Sequence, residues 1–197
     1  MRHPDLAAAV LAVALVVPPD AAARQSADPP RATVDLEASL RLTRVSGGFS
    51  TFAGGTALLG ADSRILVGGG GWIHLGDARV DAGSADTSFK LRVSYGGLVT
   101  DWRVLEPRRL RVSLRTLWGM GNAKLFLRAG SVEAETGADN FGVVEPEIAV
   151  TWQLSGRLHT GAGLGYRAVF GVEDLTGVSA DDLRGPVLRL SLALLNF

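Results

Sequence analysis

The sequence predicts an all-β protein: an eight-stranded, antiparallel, up-and-down transmembrane β-barrel, preceded by a cleaved signal peptide. Three observations predict it. Polar and apolar residues alternate over strand-length segments, with the period of a strand rather than a helix. The links between these segments are alternately short and long. After the N-terminal leader, no apolar run is long enough for a helical span, so a spanning chain must close into a barrel.

Composition narrows the functional classes before any motif is considered. The 197 residues suit one domain, and 20 basic against 20 acidic side chains leave no basic footprint for nucleic acid. The absence of cysteine excludes disulfides, thiolate catalysis and cysteine-based metal sites. Glycine, at 25 residues, favours strands and tight turns over a helical bundle. No cofactor is implied.

Residues 1–23 are predicted to be a secretory signal peptide. A basic start precedes an unbroken apolar run, Leu6–Val17, and the small residues Ala21–Ala23 supply a cleavage site. The run has 12 residues, whereas a helical span needs roughly 20, so a membrane-anchored N-terminus is the weaker alternative. Residues 24–31 form a polar lead-in, and the barrel is predicted over 32–197.

The first strand shows the clearest alternation. From Thr33 to Thr43 every even position is apolar and every odd position polar, over a length that crosses a bilayer when tilted by roughly 45°. Four later segments alternate in the same way, and three glycine-rich segments are strand-like but less regular. The eight predicted strands are 33–43, 48–59, 64–75, 89–103, 109–118, 143–154, 157–168 and 188–194.

The links between strands give an independent check. Short turns on one side and long loops on the other are typical of outer-membrane barrels, whose long loops face outward when both termini are periplasmic. The short links are 60–63, 106–108 and 155–156, and the long ones are 76–88, 119–140 and 171–185. The first link, at residues 46–48, is short on the long-loop side. We therefore expect an outer-membrane location.

The two faces of the strands are predicted to point at lipid and at a closed lumen. One face is leucine, valine and alanine, with Trp118 and Trp152 near its ends, as expected for lipid contact with aromatic residues at the interfaces. The other face carries charges of both signs that could pair across a narrow interior. The predicted lumen charge network comprises Glu37, Arg41, Arg111, Arg115, Glu145, Glu147, Arg167 and Arg189. A soluble, lipocalin-like binding barrel, with its apolar face inward, is the alternative.

The C-terminal residue points to a partner. The chain ends in Phe197, and many outer-membrane barrels end in a phenylalanine that the assembly machinery recognises. Because Phe197 is out of phase with Leu188–Leu194, a bulge is expected near the end. The expected partners are outer-membrane lipid and the assembly machinery, the latter through the C-terminal strand, with no nucleic acid.

Several short motifs resemble a family in their order and spacing. These motifs are Arg44–Phe49, Val67–Trp72, Ser94–Leu98, Val144–Glu147, Gly165–Arg167 and Asp182–Pro186. They are similar to a group of small, mostly uncharacterised bacterial outer-membrane β-barrel proteins, over residues 40–197. The resemblance implies a fold and a location but no activity, so no catalytic residue is carried over. Near the final phenylalanine the family would have a lysine and a glycine where this chain has Ala193 and Leu195.

Two glutamates could form a catalytic carboxylate pair. Glu145 and Glu147 share one face of a strand, with side chains about 7 Å apart, as acid–base hydrolysis could use. In a narrow barrel, however, buried charges need partners, so we expect both to pair with lumen arginines. Examples of such lumen arginines are Arg111, Arg115 and Arg167.

The remaining candidate motifs are weaker. Gly68–Gly71 is not followed by the lysine and hydroxyl residue of a phosphate loop, and glycines within a strand more often permit close packing or curvature. A lipid-modifying hydrolase would need a Ser-His-acid arrangement facing lipid. His159 is expected on the lumen face, and His74, with Asp77 three residues on, has no evident serine nucleophile. No metal-ligand spacing occurs.

The longest link, 119–140, has two open interpretations. It could form an external binding or adhesion surface, or the flanking strands could extend into a protruding hairpin. The function expected from the sequence is that of a non-enzymatic outer-membrane barrel, with a structural or surface-interaction role and a lumen plugged by side chains. The alternatives are a narrow small-solute channel, an outer-membrane lipid-modifying hydrolase and the soluble binding barrel.

Overall fold

A computed structural model describes residues 32–61, 64–76, 78–80, 87–129, 132–173, 175 and 177–195. The predicted signal peptide and lead-in, and the predicted assembly signal Phe197, lie outside these residues. In the described part of the chain, no helix has the length and apolar character needed to cross a membrane.

The described chain forms nine antiparallel strands and one short helix. They are β1 (Ala32–Val45), β2 (Gly48–Ala61), β3 (Ile65–Leu75), β4 (Ala78–Val80), β5 (Thr87–Leu105), β6 (Leu110–Ala129), β7 (Val132–Ser155), β8 (Leu158–Phe170), α1 (Ala180–Leu183) and β9 (Gly185–Leu195). The strand order is β3-β2-β1-β9-β8-β7-β6-β5-β4, and pairing of β3 with β5 closes a ring of eight. Strand β4 follows β3 and pairs only with β5. The predicted eight-stranded, antiparallel, up-and-down barrel is confirmed.

Alternation decides which way each side chain points. Along β9 every odd residue is buried and every even residue exposed. On β1 the odd residues from Asp35 to Val45 are buried, whereas Leu36, Leu40 and Leu42 are exposed. The outer face therefore carries aliphatic side chains, such as Leu164 at 65% exposure. This arrangement is the reverse of a lipocalin-like barrel, which turns its apolar face inward.

The first link is a two-residue turn. Ser46 and Gly47 both have positive φ, 47° and 77°, as the type I′ turn of a tight hairpin requires. Gly47 adopts this conformation without steric cost. The turn geometry explains why the link between β1 and β2 is short although it lies on the side of the long links.

Two long links differ from the sequence prediction. Residues 119–140, predicted as the longest loop, are almost entirely strand, because β6 runs to Ala129 and β7 begins again at Val132. The flanking strands extend into a hairpin, as one interpretation of this segment predicted, and an external binding role for it stays a prediction. Its strands are held by cross-strand pairs such as Lys124 and Glu135, whose Nζ and Oε2 lie 3.1 Å apart. The link after β8 contains α1, and β9 begins at Gly185 rather than at residue 188.

The interior is not wholly charged. Inward positions of β2, β3, β5 and β6 carry buried apolar side chains, including Leu58, Leu66, Val99 and Leu117. The predicted division into an aliphatic outer face and a charged inner face therefore does not hold in this part of the barrel, where apolar side chains also point inward. The interior must be filled, and apolar side chains fill it without needing partners.

The link between β8 and β9 folds onto the barrel end. Leu175, Val178 and Leu183 are buried in the apolar cluster. The backbone N–H of Ser46 donates to the carbonyl of Asp182 at 2.8 Å. These contacts fix the link across the end of the lumen from which the β6–β7 hairpin protrudes.

Candidate functional site

The centre of the lumen is an ion-pair network built on Glu37 of β1. Its carboxylate accepts from Arg115 of β6 at 2.9 Å and lies 2.8 Å from Nη1 of Arg189 on β9. Arg115 also pairs with Asp101 at 2.8 Å, and Arg189 pairs with Glu147 at 2.6 Å. Because β1 and β6 are four steps apart in a ring of eight, the Glu37–Arg115 pair joins opposite walls. All these side chains are buried.

A second set of charges lies toward the turn between β5 and β6. Asp35 of β1 accepts from Nη2 of Arg103 at 2.9 Å and from Nη1 of Arg111 at 3.1 Å. Glu106, at the rim, accepts from Nε of Arg111 at 2.7 Å. The carboxylates thus alternate with guanidinium groups down this end of the lumen, as buried charges require.

The third set combines charge with aromatic rings. Arg41 pairs with Glu145, and its guanidinium carbon lies 3.4 Å from the ring centroid of Trp72. Tyr95 donates to Oε2 of Glu145 at 3.2 Å and accepts from Arg41 at 3.3 Å. The indole N–H of Trp72 donates to the hydroxyl of Ser39 at 3.0 Å. Each polar tip of the two aromatic rings therefore has a partner, as expected when such rings are buried.

Arg167 joins the lumen to the link between β8 and β9. Its Nε donates to the carbonyl of Leu183 at 2.8 Å, and Nη2 lies 3.5 Å from the hydroxyl of Thr43. The guanidinium lies 5.1 Å from the ring centroid of Phe52 and 5.4 Å from that of Tyr95. A buried cation between aromatic faces is attracted by the ring quadrupoles.

Glycines make room for the largest interior side chains. A Cβ added at Gly54 would lie 2.6 Å from Trp72, and one at Gly70 would lie 2.7 Å from it, so the indole needs both glycines. A Cβ at Gly163 would overlap the carboxylate of Glu147. The run Gly68–Gly71 therefore contributes to close packing, the structural explanation that its sequence favoured.

All eight lumen charges singled out by the sequence face inward. Both glutamates pair with lumen arginines, Glu145 with Arg41 and Glu147 with Arg189, although these are not the arginines given as examples from the sequence. Three buried members of the network are absent from that set of eight: Asp35 of β1 and, on β5, Asp101 and Arg103. The two on β5 were missed because they follow the glycine-rich half of their strand. Their alternation with Trp102 and Val104 was a signal that could have found them.

The two tryptophans expected at membrane interfaces are both on the outer face. Trp118 is 41% exposed and Trp152 is 53% exposed. Trp152 pairs with Leu110 at the start of β6, and Trp118 lies eight residues further along that strand. Trp102 is a third outward-facing tryptophan, at 51% exposure.

The histidines have interior positions. The ring of His74 packs against Phe52, with 4.9 Å between ring centroids. His159 is buried, and its Nδ1 lies 3.1 Å from the carbonyl of Arg157. A hydrolase acting on lipid requires its histidine on the outer face. Within the described ranges, no group of three or more acidic or histidine side chains is placed to hold a metal ion.

Solved structures share this fold. A major outer membrane protein from Thermus thermophilus matches with a TM-score of 0.56 and 14% identity, over 83% of this chain and 99% of that one. The N-terminal barrel domain of Pseudomonas aeruginosa OprF matches with 0.52 and 11%, over 83% and 97%. Yersinia pestis Ail, the attachment invasion locus protein, solved with the heparin analogue sucrose octasulfate, matches with 0.52 and 11%, over 86% and 100%.

The class of protein follows from the fold. No protein-family model matches the sequence, and no curated protein matches it either. The structural matches and the closed ring define a small eight-stranded β-barrel of the outer-membrane type.

Proposed function

We propose that this chain is an integral barrel of the bacterial outer membrane with a structural or surface-interaction role. The described part of the chain exposes 28 large apolar side chains. Soluble monomers rarely expose apolar patches larger than a few hundred Å². Hydrocarbon accommodates such a belt, and a closed barrel satisfies its backbone hydrogen bonds without water.

The lumen is proposed to be plugged. The observation that carries this proposal is the bond between Glu37 and Arg115, because it connects opposite walls at 2.9 Å. An eight-stranded interior is only wide enough to be filled by side chains. An ion would have to separate this buried pair to pass, leaving both charges uncompensated.

Several residues are assigned roles at the membrane boundaries. Trp118 and Trp152 are proposed to lie at its two interfaces, where amphipathic rings are stable. Phe197, two residues after the last residue of β9, is proposed to carry the assembly signal. The partners are then outer-membrane lipid and the assembly machinery.

The external role is proposed to reside in the protruding β6–β7 hairpin. Ail, which shares the fold, is the attachment invasion locus protein of Yersinia pestis. The hairpin here presents alternating charges, with Lys124 and Glu135 both close to half exposed. Such a surface suits polar ligands, and no enzymatic activity is assigned.

Single-channel recording tests the plug. The protein, inserted in planar bilayers, is expected to show no steady conductance. A Glu37→Gly/Arg115→Gly variant, which lacks the pair across the lumen, should show small conductance steps. A shift in gel mobility between unheated and heated samples verifies that both barrels are folded. Steady, size-selective conductance by the unmodified protein would contradict the plug.

A narrow solute channel is the second candidate, favoured by one observation. In the described lumen, Nε of Arg41, Oδ1 of Asp101 and Nη2 of Arg189 have no protein hydrogen-bond partner. Buried polar groups of this kind usually bind ordered water. The same recordings decide between the two candidates.

A further inference from the structure

A groove runs along the outer wall of the barrel over β3, β5 and β6. It consists of two adjoining cavities: an upper cavity of about 520 Å³, nearer the β6–β7 hairpin, and a middle cavity of about 450 Å³ below it. Their shared lining residues are Ile73, Ser94 and Asn122. The upper cavity is further lined by Arg92 and Lys124, and the middle one by Gly71 and Gly96. The groove therefore changes from basic to apolar along its length.

The upper cavity opens where the sheet is interrupted. Pairing of β3 with β5 ends at Ile73 and Ser94, and pairing of β4 with β5 begins at Ala78 and Leu91. Arg92 lies opposite this interruption. The barrel wall is thus recessed beside a cation.

The cations at the upper end are accessible. Arg92 and Lys124 are 48% and 46% exposed, and each pairs with a hairpin carboxylate, Glu133 at 2.8 Å and Glu135 at 3.1 Å. Glu133 also pairs with Lys90 at 3.9 Å, so one carboxylate serves two cations. Exposed pairs of this kind are weak, so a further anion can bind beside them.

The floor of the middle part is made of glycine. Gly71 faces Gly96 across β3 and β5, and faces Gly55 across β2 and β3. Gly55 and Gly69 then line an apolar depression of about 750 Å³ further down the wall. Because these positions lack side chains, the floor lies below the neighbouring aliphatic surface. A hydrocarbon chain fits such a depression.

The position along the membrane suits a lipid headgroup. Arg92 is paired with Lys124 across β5 and β6. Lys124 lies six residues beyond Trp118 along β6, which is roughly 14 Å of height for a strand tilted by roughly 45°. With Trp118 at the outer interface, as proposed above, the two cations lie on its headgroup side.

We propose that this groove binds a phosphate-bearing lipid of the outer leaflet. Its phosphate contacts Arg92 and Lys124, the hydroxyl of Ser94 is available to the headgroup, and one acyl chain lies over Gly71 and Gly96. Guanidinium and ammonium groups are the usual partners of phosphate in proteins. The proposal rests on the proposed membrane location, and it names the lipid class that the surface selects.

Native mass spectrometry of lipid retention tests the proposal. The protein is folded into phosphatidylcholine nanodiscs that contain bis-phosphorylated lipid A as a minor component, then released and weighed. Retained lipid A is expected on the unmodified protein, with a loss on the order of tenfold in Arg92→Gln/Lys124→Gln. The matched control, Arg108→Gln/Arg109→Gln, neutralises two exposed arginines at the opposite rim and should retain as much as the unmodified protein.

Two further arms identify the ligand. Lipid A without phosphate should be retained no better than phosphatidylcholine, and inorganic phosphate should not displace lipid A. Equal retention of the dephosphorylated lipid, displacement by inorganic phosphate, or unchanged retention in the double variant would each overturn the proposal. Heat-dependent gel mobility reports insertion separately. Failure to insert contradicts the membrane location, whereas insertion without selective retention contradicts only the lipid site.

Discussion

The two sides of the lumen are packed in different ways. On the side of β1, β7 and β9, charges such as Glu37 and Arg189 are held by specific partners. On the side of β2 and β3, Trp72 lies on glycines among leucines. The two sides meet at Arg41, which pairs with Glu145 and stacks on Trp72. A narrow barrel can therefore be filled either by ion pairs with specific partners or by bulky side chains that occupy the space.

The two kinds of packing fail in opposite ways. A buried ion pair is damaged when one partner is removed, because the other charge stays buried without compensation. The packing of a ring on glycine is disrupted when atoms are added, because the barrel wall cannot move away to make room for them. Substitutions that remove atoms on one side and add atoms on the other separate the two.

The largest effect is expected from removing a guanidinium. Arg189→Leu leaves Glu147 without its ion-pair partner and should lower the free energy of unfolding by about 3–5 kcal/mol, measured by urea unfolding in lipid vesicles. Arg157→Leu, at an exposed turn position, should change it by less than about 0.5 kcal/mol.

A double variant distinguishes lost charge pairing from lost packing. Glu147→Gln added to Arg189→Leu should recover part of the loss, because the uncompensated charge is then gone. Equal stability of Arg189→Leu and Arg157→Leu would contradict the role given to the network.

A smaller effect is expected at the glycine wall. A Cβ at Gly70 would lie 2.7 Å from Trp72 and 2.8 Å from Thr56, whereas the nearest atom to one at Gly69 is the carbonyl oxygen of Gly97 at 3.7 Å. Gly70→Ala should therefore cost about 1–3 kcal/mol of unfolding free energy. Gly69→Ala should be neutral or slightly stabilising, through the unfolded state. Equal losses in the two variants, by the same urea titration, would show that the wall does not constrain the ring.

The sequence predicted the charged side of the barrel better than the glycine side, for a physical reason. On β1 one face meets hydrocarbon and the other meets ions, so the two faces differ chemically and the period is visible. On β3, inward Leu66 and Trp72 alternate with outward Val67 and Ile73, so both faces are apolar and the period is hidden. Inward charges near such segments, including Asp101, were missed for the same reason.

Pairing across the lumen could not be derived from sequence. Which arginine meets Glu147 depends on strand tilt and stagger, and these are set by the closed ring rather than by any one strand. The β6–β7 hairpin was hard to predict for another reason. Beyond the membrane both strand faces can meet water, so polar residues occupy both, as Lys124 and Asp139 do.

The orientation of the two faces is tested most directly by spin labels on neighbouring residues of β9. The sequence contains no cysteine, so Leu190→Cys and Ser191→Cys each give one label position. Leu190 is 49% exposed and Ser191 only 7%. In vesicles, a nitroxide at 190 should collide often with oxygen dissolved in the bilayer and rarely with a water-soluble nickel complex, while one at 191 should be immobile and shielded from both. Frequent collisions of the label at 190 with the nickel complex, together with frequent collisions of the label at 191 with oxygen, would contradict the account. The apolar face would then not lie in lipid, and the charged face would not line the lumen.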